Sequence, residues 1–290
     1  MTTGSRSSLF CFGLGFTCAR LAARLKAARW DVAGTSRSPR ASDNADLVTF
    51  DGTSPIEPAI FRGVTHIIAS IPPGEAGDPA LVRHAADLRM LPDLRWVGYL
   101  STPAVYGDRG GALVSEEDAP RPGSERGRRR LAAERAWVEA FEGTAVSVQV
   151  FRLSGIYGPG RSALDQLRAG TARIIDKPGQ VFNRIHVDDI GTILMASMER
   201  PHHGRVYNVA DDEACPSGDV IRYAAELLGV QPPAPISYDS AELSPMARSF
   251  YAECKRLDTT RIKTELGVEL AYPTYREGLR RILDDLESAA

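Results

Sequence analysis

The sequence predicts an α/β protein built on a doubly wound parallel sheet, and three observations carry that expectation. Strand-like apolar runs alternate with helix-like stretches through the first half, the pattern of a parallel sheet covered on both faces. The run Val64, Ile67, Ile68, Ala69 is short, continuously apolar and closed by Pro72-Pro73-Gly74, as a strand buried on both faces should be. The first apolar run, Leu9-Phe10-Cys11, passes directly into Gly13-Leu14-Gly15 and then into an Ala-, Leu- and Arg-rich stretch of helical periodicity.

Taken in order, strands are expected at 8–12, 30–35, 47–50, 64–70, 94–101 and 145–153, with helices at 17–29, 79–91 and 125–142. Leu21, Leu25 and Ala28 fall on one face of the first helix, the face that packs on the sheet. Beyond Gly158-Pro159-Gly160 the pattern is less regular. Arg184-Ile185-His186 reads as a strand leading into a helix at 188–199, and Val206-Tyr207-Asn208-Val209 as another strand. A helix at 217–229, the Pro-rich 232–235 and helical segments near 258–266 and 274–288 complete the chain. There is no internal repeat and no low-complexity tract. The expected organisation is a nucleotide-binding domain from 1–155 and 185–212 and a smaller lobe from 156–184 and 213–290, with ligand bound in the cleft between them, beyond the carboxyl ends of the strands.

Composition narrows the function classes. The 290 residues carry 35 Lys plus Arg against 37 Asp plus Glu, a net charge of −2, which supplies no global field for nucleic acid or anionic lipid. No apolar run approaches the roughly 20 residues of a membrane span, and Met1–Ser8 is too short and polar for a secretory signal. Cys11, Cys18, Cys215 and Cys254 lack zinc-like pairing. No metal site is expected, and a reduced, cytoplasmic protein is favoured over a disulfide scaffold.

The glycine turn carries chemistry. Gly13 permits the tight turn out of the strand, and Gly15 lets the backbone approach a diphosphate. The helix start at Phe16 and Thr17 offers amide N–H groups to that anion, and Cys18 occupies the third glycine position with a small side chain. The second strand ends Gly34-Thr35-Ser36-Arg37-Ser38, with no carboxylate to accept a ribose 2′-hydroxyl. Arg37 stands ready for a 2′-phosphate, helped by Thr35, Ser36 or Ser38, with Arg40 as a second cation. NADP is therefore expected as cofactor, NAD being the alternative. Asp51-Gly52 after the third strand is an adenine-edge candidate as well as a common turn dipeptide. Ser70 joins the cofactor set.

Later motifs, in order and spacing, extend this picture. Ser101-Thr102-Pro103-Ala104-Val105-Tyr106-Gly107, Arg152-Leu153-Ser154-Gly155-Ile156-Tyr157-Gly158-Pro159-Gly160, Arg184-Ile185-His186-Val187-Asp188-Asp189-Ile190 and Val206-Tyr207-Asn208-Val209-Ala210 run across nearly the whole chain. Jointly the chain resembles the extended short-chain dehydrogenase/reductase family, also called the NAD-dependent epimerase/dehydratase family. The resemblance implies a Rossmann domain with a small C-terminal substrate lobe, commonly serving nucleotide sugars or related small molecules. It also implies hydride transfer assisted by a Ser/Thr and by a Tyr-x-x-x-Lys pair on a helix.

Thr102 matches the Ser/Thr position. Aligned on Leu131 to Glu134, Arg126 stands where the tyrosine belongs and Arg130 where the lysine belongs. Arginine cannot surrender a proton near neutral pH, so Arg130 remains a ribose ligand at most and Arg126 an anion ligand for substrate. The two share a helix face, which would favour an anionic substrate; the alternative is a solvated basic face paired with Glu125, Glu134 and Glu139. Tyr106 is a replacement phenol for catalysis, and Tyr157, Arg184 and His186 line the substrate side. A literal Tyr251-Ala252-Glu253-Cys254-Lys255 lies some hundred residues too late for the motif.

The favoured reading is an NADP-dependent oxidoreductase or epimerase acting on a small polar, anionic or nucleotide-sugar substrate. The rival is a non-catalytic dinucleotide sensor or partner-binding protein. The partners expected are a small-molecule substrate and, at most, a second copy of the chain in a homodimer.

Overall fold

The computed structural model describes residues 6–39 and 41–288. In chain order the elements are β1 (Ser8–Phe12), α1 (Phe16–Ala27), β2 (Asp31–Ser36), β3 (Asp46–Thr49), β4 (His66–Ala69), α2 (Pro79–Arg89), β5 (Trp96–Ser101), β6 (Leu113–Val114), α3 (Glu125–Ala140), β7 (Ser147–Leu153) and β8 (Gly155–Tyr157). They continue with α4 (Ala163–Arg168), β9 (Ile174–Asp176), β10 (Arg184–His186), α5 (Val187–Glu199), β11 (Val206–Val209), α6 (Ser217–Leu228), β12 (Pro235–Ser237), α7 (Pro245–Tyr251), β13 (Arg256–Leu257), α8 (Thr260–Leu266) and α9 (Tyr275–Ser288). Every strand and helix expected in the first half forms.

Seven strands make one parallel sheet in the order β11-β7-β5-β4-β1-β2-β3. This is the doubly wound Rossmann order, and its switch point lies between β1 and β4, where connections run outward to opposite sides. Cys11 of β1 pairs with Gly34 on one side and Ile68 on the other. The central strands β4 and β5 are buried along their whole length, whereas the edge strand β3 has exposed ends. That gradient follows from helices covering both faces of the middle of the sheet. Asp78 starts α2 by accepting the amides of Ala80 (2.9 Å) and Leu81 (3.4 Å), with Pro79 at the first helical position.

The chain divides into two compact units. The first holds the described residues up to Val105, with Glu125–Arg152 and Gly191–Tyr207. The second holds Tyr106–Ser124, Leu153–Ile190 and the described residues from Asn208. Segments 106–124, 153–155, 185–190 and 208–212, expected with the nucleotide-binding part, thus group with the second unit. β6 explains the first of these, because Leu113 and Val114 pair with Arg256 and Leu257 of β13.

Unit one packs its core around Phe10, Phe12, Phe61, Tyr99 and Trp137. Unit two packs Tyr157, Leu164, Ile174, Tyr275, Leu279 and Ile282. Its α6 and α8 end on Gly229 and Gly267, both at φ +65°, where a left-handed residue closes the helix.

α3 buries Gly127, Arg130, Ala133, Glu134 and Trp137, one stripe at helical spacing. Two of these are charged, so the stripe needs partners. Arg152 of β7 grips Glu134 with two forked bonds (Nη2 to Oε2 2.7 Å, Nε to Oε1 3.1 Å), and Ser101 of β5 donates to the same carboxylate (2.5 Å). This fully buried pair fixes α3 over the carboxyl ends of β5 and β7. Removing one partner strands the other in the core, so Glu134→Ala should cost about 3–5 kcal/mol. Urea unfolding at pH 7 checks this; a stability equal to wild type would contradict it.

Candidate functional site

The glycine turn sits at the carboxyl end of β1, at the switch point. Gly13 has φ +91°, a conformation that excludes other residues, and a Cβ there would lie 2.7 Å from Ser70 Oγ. The turn is held from both neighbouring strands. Gly13 N–H donates to Thr35 Oγ1 (2.8 Å) and Leu14 N–H to the Thr35 carbonyl (2.8 Å). From β4's end, the Ser70 hydroxyl donates to the Gly13 carbonyl (2.7 Å). Thr35 is buried, which corrects its assignment to a 2′-phosphate: its hydroxyl is committed to the turn. Ser70 likewise shapes the loop.

Gly15 is the N-cap of α1 and, having no side chain, offers no side-chain cap to the helix amides. An added Cβ on Gly15 meets no atom of the chain within 4 Å. Phe16 and Thr17 follow in the first turn, which holds no acidic residue. A helix start that is uncapped, free of negative charge and open on one side is a ready anion site.

At the end of β2, Arg37 is exposed and forms no ion pair among the described residues, and Ser36 is half-buried beside it. Arg40 lies outside the described residues. Asp51 folds back on its own turn, accepting Thr53 N–H (2.8 Å) and the Thr53 hydroxyl (2.7 Å). Those bonds hold its carboxyl below the usual range. Gly52 follows at φ +86°, against Pro79, so the dipeptide forms a turn.

The residues aligned with the family's acid/base pair behave differently from one another. Arg126 is exposed in the first turn of α3 and has no protein partner among the described residues. Arg130, expected to reach a ribose, is buried instead. Its guanidinium donates to the Leu100 carbonyl (2.8 Å) and to Tyr99 Oη (3.3 Å), above the Tyr99 ring. The carbonyl at the end of β5 draws it inward, so the two arginines do not share one exposed face. Arg128 and Arg129 pair with Glu125, and Arg129 also with Glu75.

Thr102, just past β5, is half-exposed and accepts Ala104 N–H (3.3 Å), which leaves its own O–H to donate outward. Tyr106 is the next correction. It is fully buried in unit two and donates its phenol proton to Asn208 Oδ1 (2.7 Å), while Asn208 binds the carbonyls of Val114 and Asp258. This phenol is a strut for the β6–β13 pair and no longer a candidate acid.

Three expected substrate residues are also knitted into unit two. His186 is 1% exposed, packed between Tyr157 (ring centroids 5.1 Å) and Tyr272 (4.0 Å), with Nδ1 accepting Asp188 N–H. Tyr157 donates to the Thr274 carbonyl, and burial, with Asp211 and Asp189 nearby, raises its phenol well above the usual range. Arg184 donates to the Phe182 and Cys215 carbonyls. The late Tyr-x-x-x-Lys is no helical pair: α7 ends at Tyr251, whose hydroxyl meets Ser217, while Lys255 pairs with Glu253 at 2.6 Å.

Sequence reasoning missed two features of unit two. One is a cavity of about 120 Å³ lined by Ile174, Lys177, Phe182, Ser217, Arg222 and Tyr251. It is formed by β9 and the loop after it, the start of α6 and the end of α7, and β9 and α7 are too short to show periodicity. The other is Asp211, 4% exposed, with Oδ1 accepting Glu213 N–H and Oδ2 without a hydrogen-bond partner among the described residues.

The sheet order is that of a Rossmann-type fold, and solved structures at 16–23% identity share it, among them a UDP-glucuronic acid 4-epimerase from Bacillus cereus and a dTDP-glucose 4,6-dehydratase from Bacillus anthracis str. Ames. One of them, MoeE5 in complex with UDP-glucose and NAD, is 23% identical with a TM-score of 0.76 over 98% of this chain and all of that one. A functionally unknown conserved protein from Silicibacter pomeroyi DSS is 46% identical, with a TM-score of 0.87 over 97% of this chain and 99% of that one. The chain belongs to the family of that protein. Protein YeeZ of Escherichia coli (strain K12) is 27% identical over 278 residues, 90% of this chain and 94% of its own length. No family model matches the chain.

Burial lifts the Asp211 carboxyl to about 8, against roughly 4 in an unfolded chain. The neutral acid therefore contributes stability that is complete below roughly pH 4 and is lost as pH rises toward 8. Melting temperature should fall across that interval, and Asp211→Asn should flatten the fall and raise the melting temperature at pH 8. An unchanged profile in the variant would contradict the assignment.

Proposed function

We propose that the chain is an NADP-dependent oxidoreductase or epimerase for a small anionic substrate. The observation that carries this reading is the open, uncapped start of α1 beside the locked Gly13 turn, which fits a diphosphate. The amides from Gly15 to Cys18 would hold that group, and Arg37, with Ser36, would hold a 2′-phosphate. When bound there, the dinucleotide supplies hydride chemistry at its nicotinamide ring.

The protein's own contribution is binding and charge. Thr102 would donate its hydroxyl proton to a substrate oxygen. Arg126, permanently cationic, would balance negative charge on the substrate but take no part in proton transfer. With Arg130 turned inward, Arg126 is the single α3 cation assigned to this task. The cavity in unit two is well below the roughly 300–1,000 Å³ of a drug-sized ligand site, so it would admit a ring or a phosphate and not a whole nucleotide sugar. The binding of UDP-glucose and NAD by MoeE5 supports the class of chemistry.

One observation favours a second reading, a non-catalytic dinucleotide sensor. Tyr106, the nearest phenol in sequence to Thr102, is locked on Asn208, and the alignment on Leu131 to Glu134 puts Arg126, which cannot act as an acid, at the tyrosine position.

Arg37→Ala should weaken NADPH binding about tenfold or more while leaving NADH binding unchanged, as fluorescence titration would show. Equal affinity of the wild type for the two dinucleotides would remove the cofactor choice. Turnover of a panel of carbonyl compounds bearing carboxylate or phosphate, followed at 340 nm, should drop roughly 10²-fold in Thr102→Val. Absence of turnover across the panel, with NADPH bound, would decide for the sensor.

A further inference from the structure

Three side chains of unit one close a ring immediately before Thr102. Ser101 ends β5 and Arg152 is the penultimate residue of β7, and the two are neighbours across the parallel ladder. Both reach the carboxylate of Glu134 on α3. The Ser101 hydroxyl donates to Oε1 (2.5 Å), and the Arg152 guanidinium donates to Oε1 (3.1 Å) and Oε2 (2.7 Å). Each of the three is at most 6% exposed. One turn earlier on α3, Arg130 donates to the Leu100 carbonyl (2.8 Å). The last two residues of β5 are therefore tied to α3, one through its side chain and one through its backbone.

We propose that Ser101, held by the Glu134–Arg152 pair, is a positioning residue that sets where the Thr102 hydroxyl meets substrate. The proposal rests on the reading of Thr102 as the donor to a substrate oxygen. The chain beyond Thr102 is fixed as well. Pro103 biases Thr102 toward extended backbone. The Thr102 hydroxyl oxygen accepts Ala104 N–H (3.3 Å), and its carbonyl accepts Val105 N–H (3.3 Å). Those bonds orient the side chain relative to its own turn, while Ser101 and Leu100 fix that turn relative to the sheet. What remains is rotation of the O–H itself.

Position and fold are separable here. Arg152 alone satisfies both oxygens of Glu134, so removing the Ser101 hydroxyl leaves no unpaired buried charge. α3 keeps its seat on β7, and only the side-chain tie to the end of β5 is lost. A group displaced by about 1 Å can lose roughly 10²-fold in rate. Ser101 can contribute no more than the hydroxyl it aims, so its removal should cost less than removal of the Thr102 hydroxyl.

The test follows NADPH at 340 nm with the carbonyl compound that the wild type reduces fastest. Ser101→Ala should lower kcat about tenfold, with KM for the carbonyl compound and NADPH affinity unchanged. Its melting temperature should fall by about 3–6 °C. In a Thr102→Val background the same substitution should change kcat less than about twofold, because the group it positions is gone. Ala133→Gly, which weakens α3 from within, should lower the melting temperature but keep kcat. Ser101→Cys, a weaker donor of similar size, should lose less than Ser101→Ala. Wild-type kcat in Ser101→Ala, a tenfold loss that persists without the Thr102 hydroxyl, or an equal loss in Ala133→Gly would overturn the proposal, as would a Ser101→Cys loss as large as that of Ser101→Ala. If no carbonyl compound turns over, the reading of Thr102 as donor fails by itself. Hydrogen exchange then decides the positioning: Ser101→Ala should speed exchange at the Ala104 and Val105 amides while the β5 amides from Val97 to Tyr99 stay protected, and unaltered exchange at 104 and 105 would count against it.

Discussion

A helix that starts on a glycine, at the carboxyl end of a central strand, leaves the amides of its first turn without a side-chain cap, and the site is organised around that fact. α1 is such a helix. The turn before it cannot relax, because Gly13 takes a positive φ and is tied to Thr35 of β2 on one side and Ser70 beyond β4 on the other. The sheet order puts β1 between those two strands, so the topology itself supplies the ties. An anion is the natural complement of the resulting arrangement.

The buried stripe of α3 imposes a second constraint. Glu134 is ion-paired with Arg152 and hydrogen-bonded by Ser101, and Arg130 is held by a carbonyl and an aromatic ring. Both charges are used to seat the helix, and this removes Arg130 from ligand chemistry. Arg126, a turn earlier, stays exposed. In the proposed site, a donor hydroxyl at Thr102 and a permanent cation at Arg126 would orient a substrate and balance its charge, and Arg126 would take no part in proton transfer.

Long, strongly patterned features were legible in the sequence. The apolar runs of β1, β4, β5 and β7 and the turn Gly13-x-Gly15 announced the sheet and the strand-to-helix turn at its centre, and the apolar face of Leu21 and Leu25 announced α1. Short elements such as β9, β12 and α4 carry too few residues for a period and went unseen. Side-chain direction was the other loss. Tyr106, Tyr157, His186 and Arg184 have chemistry-bearing side chains in family motifs, yet each is consumed by a contact far away in sequence, such as Tyr106 with Asn208 or Tyr157 with Thr274. Spacing along the chain does not reveal whether a polar group is already satisfied. Arg130 shows the same limit within a single helix: one turn separates it from Arg126, and a carbonyl on β5 decides their different fates.

In the proposed function the locked turn at Gly13 and the glycine-capped start of α1 grip a dinucleotide. A crystal structure of the protein with millimolar NADP tests it most directly. The expected density places the diphosphate on the amides of Gly15 to Cys18 and a 2′-phosphate at Arg37. Density for the dinucleotide elsewhere, or none at that turn with the loop unobstructed, would contradict the account.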